Sequence, residues 1–436
     1  MIYDVIIIGG GTAGALAAIA SGRMGMKTLL IESNGYVGGT ATGGIVSPMM
    51  SNHKDDYISD LNNEIILKLK ETGDGFGNWF NPEVLKYVLE RLIVESGVKI
   101  RYYSNAFKLI RKEKLIHSIL VQSKSGVEEF KGKIFIDSTG DADISRLAGI
   151  KVCKGNLNGL NQPISLRFIM SNINVSEFSS YVEGLGQKHE LDVNEFSTAH
   201  TKDGVFPLQP IFEEAVKNGE LQEEDARYFQ CFSIPGRSSD LTFNCPEIFQ
   251  QLDGSSVEDL TTAQIIGKQK IFRYVKFLKT LPGFKNSYLS LIAPLVGVRE
   301  SVRIQGEYIL TGKDILTYKK FDNRIMSSNY PVDIHNLSND DTEYIEKLRN
   351  DVSNKEAYYD IPWDIMICSE IDNLIVAGRC VSTDFIAQSA IRIQNICRGM
   401  GEAAGYMAYM SIINNKQVKQ LDNLSFQTLL KQKGFR

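Results

Sequence analysis

The sequence predicts an α/β protein: a Rossmann-like nucleotide-binding domain in two parts, with an α+β domain inserted between them. Three observations predict it. A strand, glycine loop, helix and strand open the chain in MIYDVIIIGGGTAGALAAIASGRMGMKTLLIES. The same style returns near the end, where the strand NLIVAG is followed by the small-residue helix CRGMGEAAGYMAYM. Between them, beyond about residue 155, Asn and Ser become frequent and the α/β alternation fades. The expected boundaries are 1–155 for the first part, 156–365 for the inserted substrate domain and 366–436 for the C-terminal part.

Taken in order, residues 3–8 are rich in Ile and Val, as a strand buried on both faces of a parallel sheet requires. The glycine loop follows. Residues 13–24 are small and apolar enough for a helix lying close to that strand, and residues 27–31 complete a βαβ unit. NPEVLKYVLERLIVESGVKIRYY has helical periodicity, with Pro82 at its start, Gly97 as a stop and a strand beyond. Residues 106–110 and 116–122 read as paired strands, and 134–137 as another buried strand. Residues 176–260 read as a lid or substrate region of mixed structure, and 265–278 as a helix. No internal repeat is visible.

Composition bounds the function. The 436 residues are 43% hydrophobic and 23% charged, enough for sizeable cores. The net charge of −4, with Lys and Arg scattered, argues against a nucleic-acid partner. No apolar run has membrane-spanning length, and the chain enters a strand at once instead of a basic segment and a long apolar stretch, so neither a membrane nor a signal peptide is expected. The six cysteines include no CxxC pair, which disfavours iron–sulfur and zinc-ribbon sites and suits a reducing, cytoplasmic setting. The histidines show no metal-ligand spacing, and no metal is expected.

GGGTAG alone is a weak signal. Here a strand precedes it, a helix follows, and Glu32 ends the next strand. Glycines let the backbone approach a pyrophosphate, and the helix N-terminus offers free N–H groups and a positive dipole end. A carboxylate at Glu32 accepts from ribose hydroxyls and repels a 2′-phosphate, which disfavours NADP. A second glycine patch in SNGYVGGTAT, a strand ending in STGDAD and a strand ending in VAGR then favour FAD over NAD. An extended dinucleotide needs several such close approaches.

These segments carry a resemblance. With IESNGYVGGTATGGIVSPMM, STGDADISRLAG, PLVGVRESVRIQGEYIL, YDIPWD and NLIVAGRCVS…IRIQNICRGMGEAAG, the chain resembles, nearly end to end, the FAD-dependent oxidoreductases with a glutathione-reductase-type FAD domain. The branch it resembles is that related to the heterodisulfide reductase flavin subunit. The resemblance implies noncovalent FAD. Gly9, Gly11, Thr12, Ala13 and Gly14 would hold the pyrophosphate, and Glu32 and Ser33 the ribose. Gly39, Thr40, Ala41 and Thr42 would line the way to the isoalloxazine, with Ala106 and Phe107 at the adenine. Thr139, Gly140 and Asp141 would flank the cofactor, and Gly378, Arg379, Arg392 and Ile393 would lie near the flavin, with the helix starting near Asn395 aimed at its pyrimidine side. The chain departs from the family's pattern at Phe385, Ile386, Asn395 and Val302, where substrate chemistry would occur.

Flavin carries the hydride or electron chemistry, so charged side chains are sought for the substrate. GVRESVRIQGEYIL reads as an extended strand, with Arg299, Ser301, Arg303, Gln305 and Glu307 on one face. Arg299 and Arg303 could bind a carboxylate, with Arg392 a third candidate; the alternative is an ion-pair network such as Arg303 with Glu307. Cys380 and Cys397 are too far apart in sequence for the usual redox pair and read as buried thiols. His53 could attach flavin or donate a proton, although a loop histidine without a role is the plainer reading.

No second dinucleotide fingerprint appears, so reductant would come from the substrate, a partner protein or a transient nucleotide. The expected function is hydride exchange between FAD and a small organic substrate. A flavin monooxygenase or halogenase is weaker, because the halogenase signature WxWxIP is missing and Trp79 and Trp363 stand alone. An electron-transfer subunit would need a relay that the cysteines do not provide.

Overall fold

The computed structural model of the protein describes residues 1–47, 49–50, 59–186, 196–199, 207–335 and 358–435. Its larger sheet contains Ile2–Ile8 (β1), Thr28–Ile31 (β2), Lys99–Arg101 (β3), Ser104–Lys112 (β4), Leu115–Ser123 (β5), Gly126–Asp137 (β6) and the late strand Leu374–Val376. The order is β3-β2-β1-β6-β5-β4, with Leu374–Val376 also paired to β6. β1, β2, β3, the second half of β6 and Leu374–Val376 are parallel; the β4–β5 hairpin and the first half of β6 are antiparallel. In β1, Val5, Ile6 and Ile7 are fully buried, which the uninterrupted apolar run anticipates.

Register aligns the strand ends. Ile8 pairs with Ile31 and with Asp137, and Val376 pairs with Asp137. The glycine loop, Glu32, residues 138–141 and Gly378 therefore all leave the sheet at one carboxyl edge. A crevice at that edge is where open α/β sheets bind ligands.

Two helices hold this edge. Thr12–Arg23 (α1) follows the glycine loop, and a late helix, Gln394–Asn414, packs against it. Small residues permit the approach: a Cβ on Gly401 would stand 2.0 Å from the Ala13 carbonyl oxygen, and one on Gly405 would stand 2.7 Å from the Ala20 Cβ. Pro82–Glu95 (α2) starts where Pro82 suggests, with the Asn81 side chain accepting from the Glu83 amide at 3.1 Å.

The second sheet is antiparallel: Phe168–Ser171 (β7), Ser197–Ala199 (β8), Gln230–Ile234 (β9), Arg237–Phe243 (β10) and Tyr288–Ile292 (β11), in the order β8-β9-β10-β7-β11. Val257–Leu278 (α3) packs on it. Phe168 and Phe243 stack with ring centroids 4.5 Å apart, and Tyr274 of α3 joins them. α3 begins two turns before the expected residue 265, because Ser256 caps it by accepting from the Asp259 amide at 3.3 Å. That start is polar and exposed, so apolar periodicity alone passes over it.

The second core draws its inserted residues from Leu166 to Ala293, whereas Val302, Ile304, Leu310 and Ile361 belong to the first core. The expected unit 156–365 is thus divided between the two. Pairing explains the division: Val302–Ile304 runs antiparallel to Val152–Lys154, beside the nucleotide-binding sheet. One residue of the N-terminal segment crosses the other way. Ile45 is fully buried in the second core.

Candidate active site

The glycine loop folds as its residue types require. Gly9 has φ +92°, and a Cβ there would lie 2.5 Å from the Ser138 carbonyl oxygen. Gly14 lets α1 start against the strand end: its Cβ would lie 1.8 Å from the Gly9 carbonyl oxygen. The second patch lies on the first. The Gly38 amide donates to the Gly10 carbonyl at 2.8 Å, and the Thr12 hydroxyl donates to the Gly38 carbonyl at 3.2 Å. A Cβ on Gly39 would stand 2.9 Å from the Gly11 Cα. Thr40, Ala41 and Thr42 continue this loop, with Ala41 and Thr42 buried and the Thr42 hydroxyl donating to the Val37 carbonyl at 2.6 Å.

Glu32 is 6% exposed and closes the loop from the side. Its carboxylate accepts from the Gly10 amide at 2.6 Å and the Asn34 amide at 2.7 Å; the Ser33 hydroxyl donates to it at 3.1 Å. Thr139 and Asp141 are fixed from below. The Thr139 hydroxyl donates to buried Asp137 at 2.8 Å, and Arg379 Nη2 donates to Asp141 at 2.7 Å, where Ser301 also bonds. Gly140 has φ +86°, and a Cβ on it would collide with the Arg379 guanidinium. Gly378 has φ +107° and lies beside Ala13. Ala106 and Phe107 sit on β4, where Phe107 is 43% exposed.

FAD fits this edge on the donor set alone. Gly11 caps α1 without any side chain, so the first-turn amides are open to a pyrophosphate. Arg379 Nε, Arg392 Nε and Gln394 Oε1 are buried polar atoms with no hydrogen-bond partner, all on the late segment expected at the flavin. Two donors and one acceptor match in kind the two carbonyls and one N–H of the flavin's pyrimidine ring. Ile393 caps Gln394–Asn414 without a side-chain bond, leaving that helix start open too. His53 lies outside the described residues.

A polar junction, buried at Glu247 and Arg299 and half-buried at Asp333, His335 and Arg392, lies where the two cores meet. Arg299, 8% exposed, places Nη2 2.6 Å from Glu247 Oε1, and its Nη1 donates to the Pro163 carbonyl at 2.7 Å. His335 Nδ1 lies 2.7 Å from the same Glu247 oxygen, and its Nε2 lies 3.7 Å from Asp333 Oδ1. Arg392 Nη2 pairs with Asp333 Oδ2 at 3.2 Å. Tyr228 packs edge-on to His335 at 5.4 Å. Burial, then Arg299, pushes the His335 imidazolium pKa down, so the ring is held neutral. Burial raises Glu247, but Arg299 and His335 outweigh it and hold the carboxyl below its ordinary range. Asp333 behaves alike, through Arg392 and His335.

The expected strand through VRESVR is corrected: only Val302–Ile304 is extended. Glu300 turns back to pair with Arg303 three residues on, which alternation would place on opposite faces. Arg303 therefore does not pair with Glu307. It is 2% exposed, and its other two nitrogens donate to the carbonyls of Thr383 at 3.2 Å and Gly155 at 3.0 Å. Arg299 and Arg392 reach the junction; Arg303 is engaged in the wall behind it. Sequence reasoning missed Glu247, Asp333 and His335, which scattered segments bring together. Burial raises the thiol pKa of Cys380 far above its ordinary value and that of Cys397 to about 12, and all six cysteines are free.

Among the described residues, no group of His, Cys, Asp or Glu is arranged to hold a metal, and no helix is long and apolar enough to cross a membrane. Curated relatives match over part of their length. The chain is 27% identical over 202 residues to a soluble pyridine nucleotide transhydrogenase of Chromohalobacter salexigens, covering 43% of each chain. It is 27% identical over 166 residues to digeranylgeranylglycerophospholipid reductase 1 of Methanopyrus kandleri, covering 34% of this chain and 43% of that one. The chain thus spans less than half the length of either. The flavin-dependent brominase Bmp2 shares the fold, with a TM-score of 0.51 at 12% identity over 99% of this chain and 84% of that one. Residues 4–430 match the family described as FAD dependent oxidoreductase, and the chain belongs to that family, an FAD-dependent oxidoreductase with FAD as its cofactor.

Proposed function

We propose that the protein exchanges a hydride between FAD and a small organic substrate held where the two cores meet. The observation that carries this reading is the polar set of buried Arg299 and Glu247 with half-buried His335, Asp333 and Arg392, built from both sides of that junction. When bound, FAD supplies hydride acceptance and donation. Arg299 and Arg392, steadied by Glu247 and Asp333, orient a polar substrate. Neutral His335 keeps its proton on Nδ1, beside the Glu247 carboxylate, which leaves Nε2 to take or return the proton that accompanies the hydride.

The resemblance to the heterodisulfide-reductase-related branch supports reversible two-electron chemistry, as do the names of the transhydrogenase and reductase relatives. The second electron carrier is external to this chain, and the six free thiols suit a reducing cytoplasm. Anaerobic mixing of the FAD-loaded protein with candidate reductants tests the reading by loss of the flavin's visible absorbance. Bleaching by a small organic compound supports it. Oxygen uptake coupled to a hydroxylated product would replace it with a monooxygenase.

A further inference from the structure

Three guanidinium groups meet at this junction, those of Arg167 and Arg299 buried and that of Arg392 half-buried, and two carboxylates answer them. Arg299 has Glu247, and Arg392 has Asp333. Arg167, 5% exposed, has neither. Its Nε donates to Asn244 Oδ1 at 2.9 Å and its Nη1 to the Ile45 carbonyl at 3.0 Å, and it lies 6.0 Å from the Phe232 ring centroid. These partners are neutral, and among the described residues no carboxylate is in ion-pair range. Glu300 is taken by Arg303 and Asp141 by Arg379, and His335 is neutral. Burial and then repulsion from Arg299 depress the Arg167 pKa to about 10, the direction expected of a cation lacking its counter-charge.

Among the described residues the junction thus holds one surplus positive charge, and a buried charge is costly unless paired. The position matters as well. Ile45 follows the loop expected to line the flavin, has φ +47°, and also accepts from the Thr242 hydroxyl at 3.4 Å. We infer that Arg167 anchors the carboxylate of a monoanionic organic substrate, beside residue 45 and within reach of the flavin. This rests on the hydride-exchange reading and names its substrate class. Two of the five guanidinium N–H groups are used by Asn244 and Ile45, which leaves three for a planar carboxylate. A single surplus charge suits a monocarboxylate better than a phosphate dianion.

Acetate and benzoate are titrated into the FAD-loaded full-length protein, following the flavin's visible spectrum and Tm, with benzamide and chloride as controls. At least one carboxylate is expected to give a saturable spectral change and a higher Tm, whereas benzamide and chloride give neither. Arg167→Gln is expected to weaken that carboxylate about 30-fold or more, and Arg167→Lys less. Asn244→Asp places a carboxylate against Nε and is expected to abolish the response while the arginine stays; it carries the test alone if Arg167→Gln does not load FAD. The inference is overturned by no response to either carboxylate, by an equal response to benzamide, or by wild-type titration in Asn244→Asp. A shifted flavin potential in Arg167→Gln with an unchanged titration also overturns it, since the counter-charge is then the reduced flavin. Failure of the hydride-exchange reading is distinct: carboxylates titrate normally, but no reductant bleaches the flavin anaerobically.

Discussion

Arg167 and Ile45 are joined by a 3.0 Å hydrogen bond from the guanidinium to the backbone carbonyl, and this bond ties the glycine-rich loop to the antiparallel sheet. Ile45 buries its side chain in the second core while its chain neighbours belong to the nucleotide edge. Any movement between the cores is therefore felt directly in the loop expected at the flavin.

Gly14→Ala is expected to abolish FAD retention, because its Cβ would fall 1.8 Å from the Gly9 carbonyl oxygen. Overpacking of this kind costs about 1–3 kcal/mol. The ratio of flavin to protein absorbance in purified protein reads the outcome; a wild-type ratio would refute the assigned role of the loop.

Glu32→Ala removes the acceptor for the Gly10 and Asn34 amides. Hydrogen bonds to a charged group contribute about 1.5–3 kcal/mol. Lower Tm in the FAD-free protein is expected, together with weaker FAD binding by fluorescence titration. Glu32→Gln should fall between the two, since it keeps one acceptor oxygen.

Glu300→Gln leaves Arg303 buried without its counter-charge, which is expected to cost about 3–5 kcal/mol. Urea unfolding measures this. Anaerobic flavin reduction per folded molecule should be unchanged, as Arg303 is engaged by Thr383 and Gly155 away from the junction. A selective loss of reduction would return Arg303 to the substrate site.

Stability should fall as pH drops below about 6.5. His335 takes its proton near 6.5 in the unfolded chain but only at lower pH when folded. The unfolded state then binds more protons in that window, so acidification favours unfolding. Glu247 and Asp333 act in the same direction at lower pH, because their folded pKa values are also depressed. His335→Gln should flatten the Tm profile between the folded pKa and 6.5, while leaving the acid limb below it.

The nucleotide edge was legible because its physics is local. A glycine at a strand end, a small-residue helix and an acid after the next strand lie within one short stretch, and parallel pairing then brings Asp137 and Val376 alongside Ile8. Of the junction only Arg299 and Arg392 were legible, because Arg167, Glu247, Asp333 and His335 come from distant segments and none stands in a periodic pattern. VRESVR was misread for a related reason. Alternation assumes an extended backbone, whereas the Glu300–Arg303 pair bends the chain across that face. PISLRFIM held a signal that could have been used: an arginine inside an apolar run is buried, and a buried arginine needs an anion.

The close seating of Gly401 and Gly405 against α1 has a consequence for biosynthesis. The glycine loop is translated long before the helix that braces it. Until residues 374–414 emerge, β6 lacks the neighbour supplied by Leu374–Val376, and the small-residue face of α1 stays open to water. The nascent chain must keep an Ala-rich helix uncovered until those residues are made, so cofactor capture waits for them.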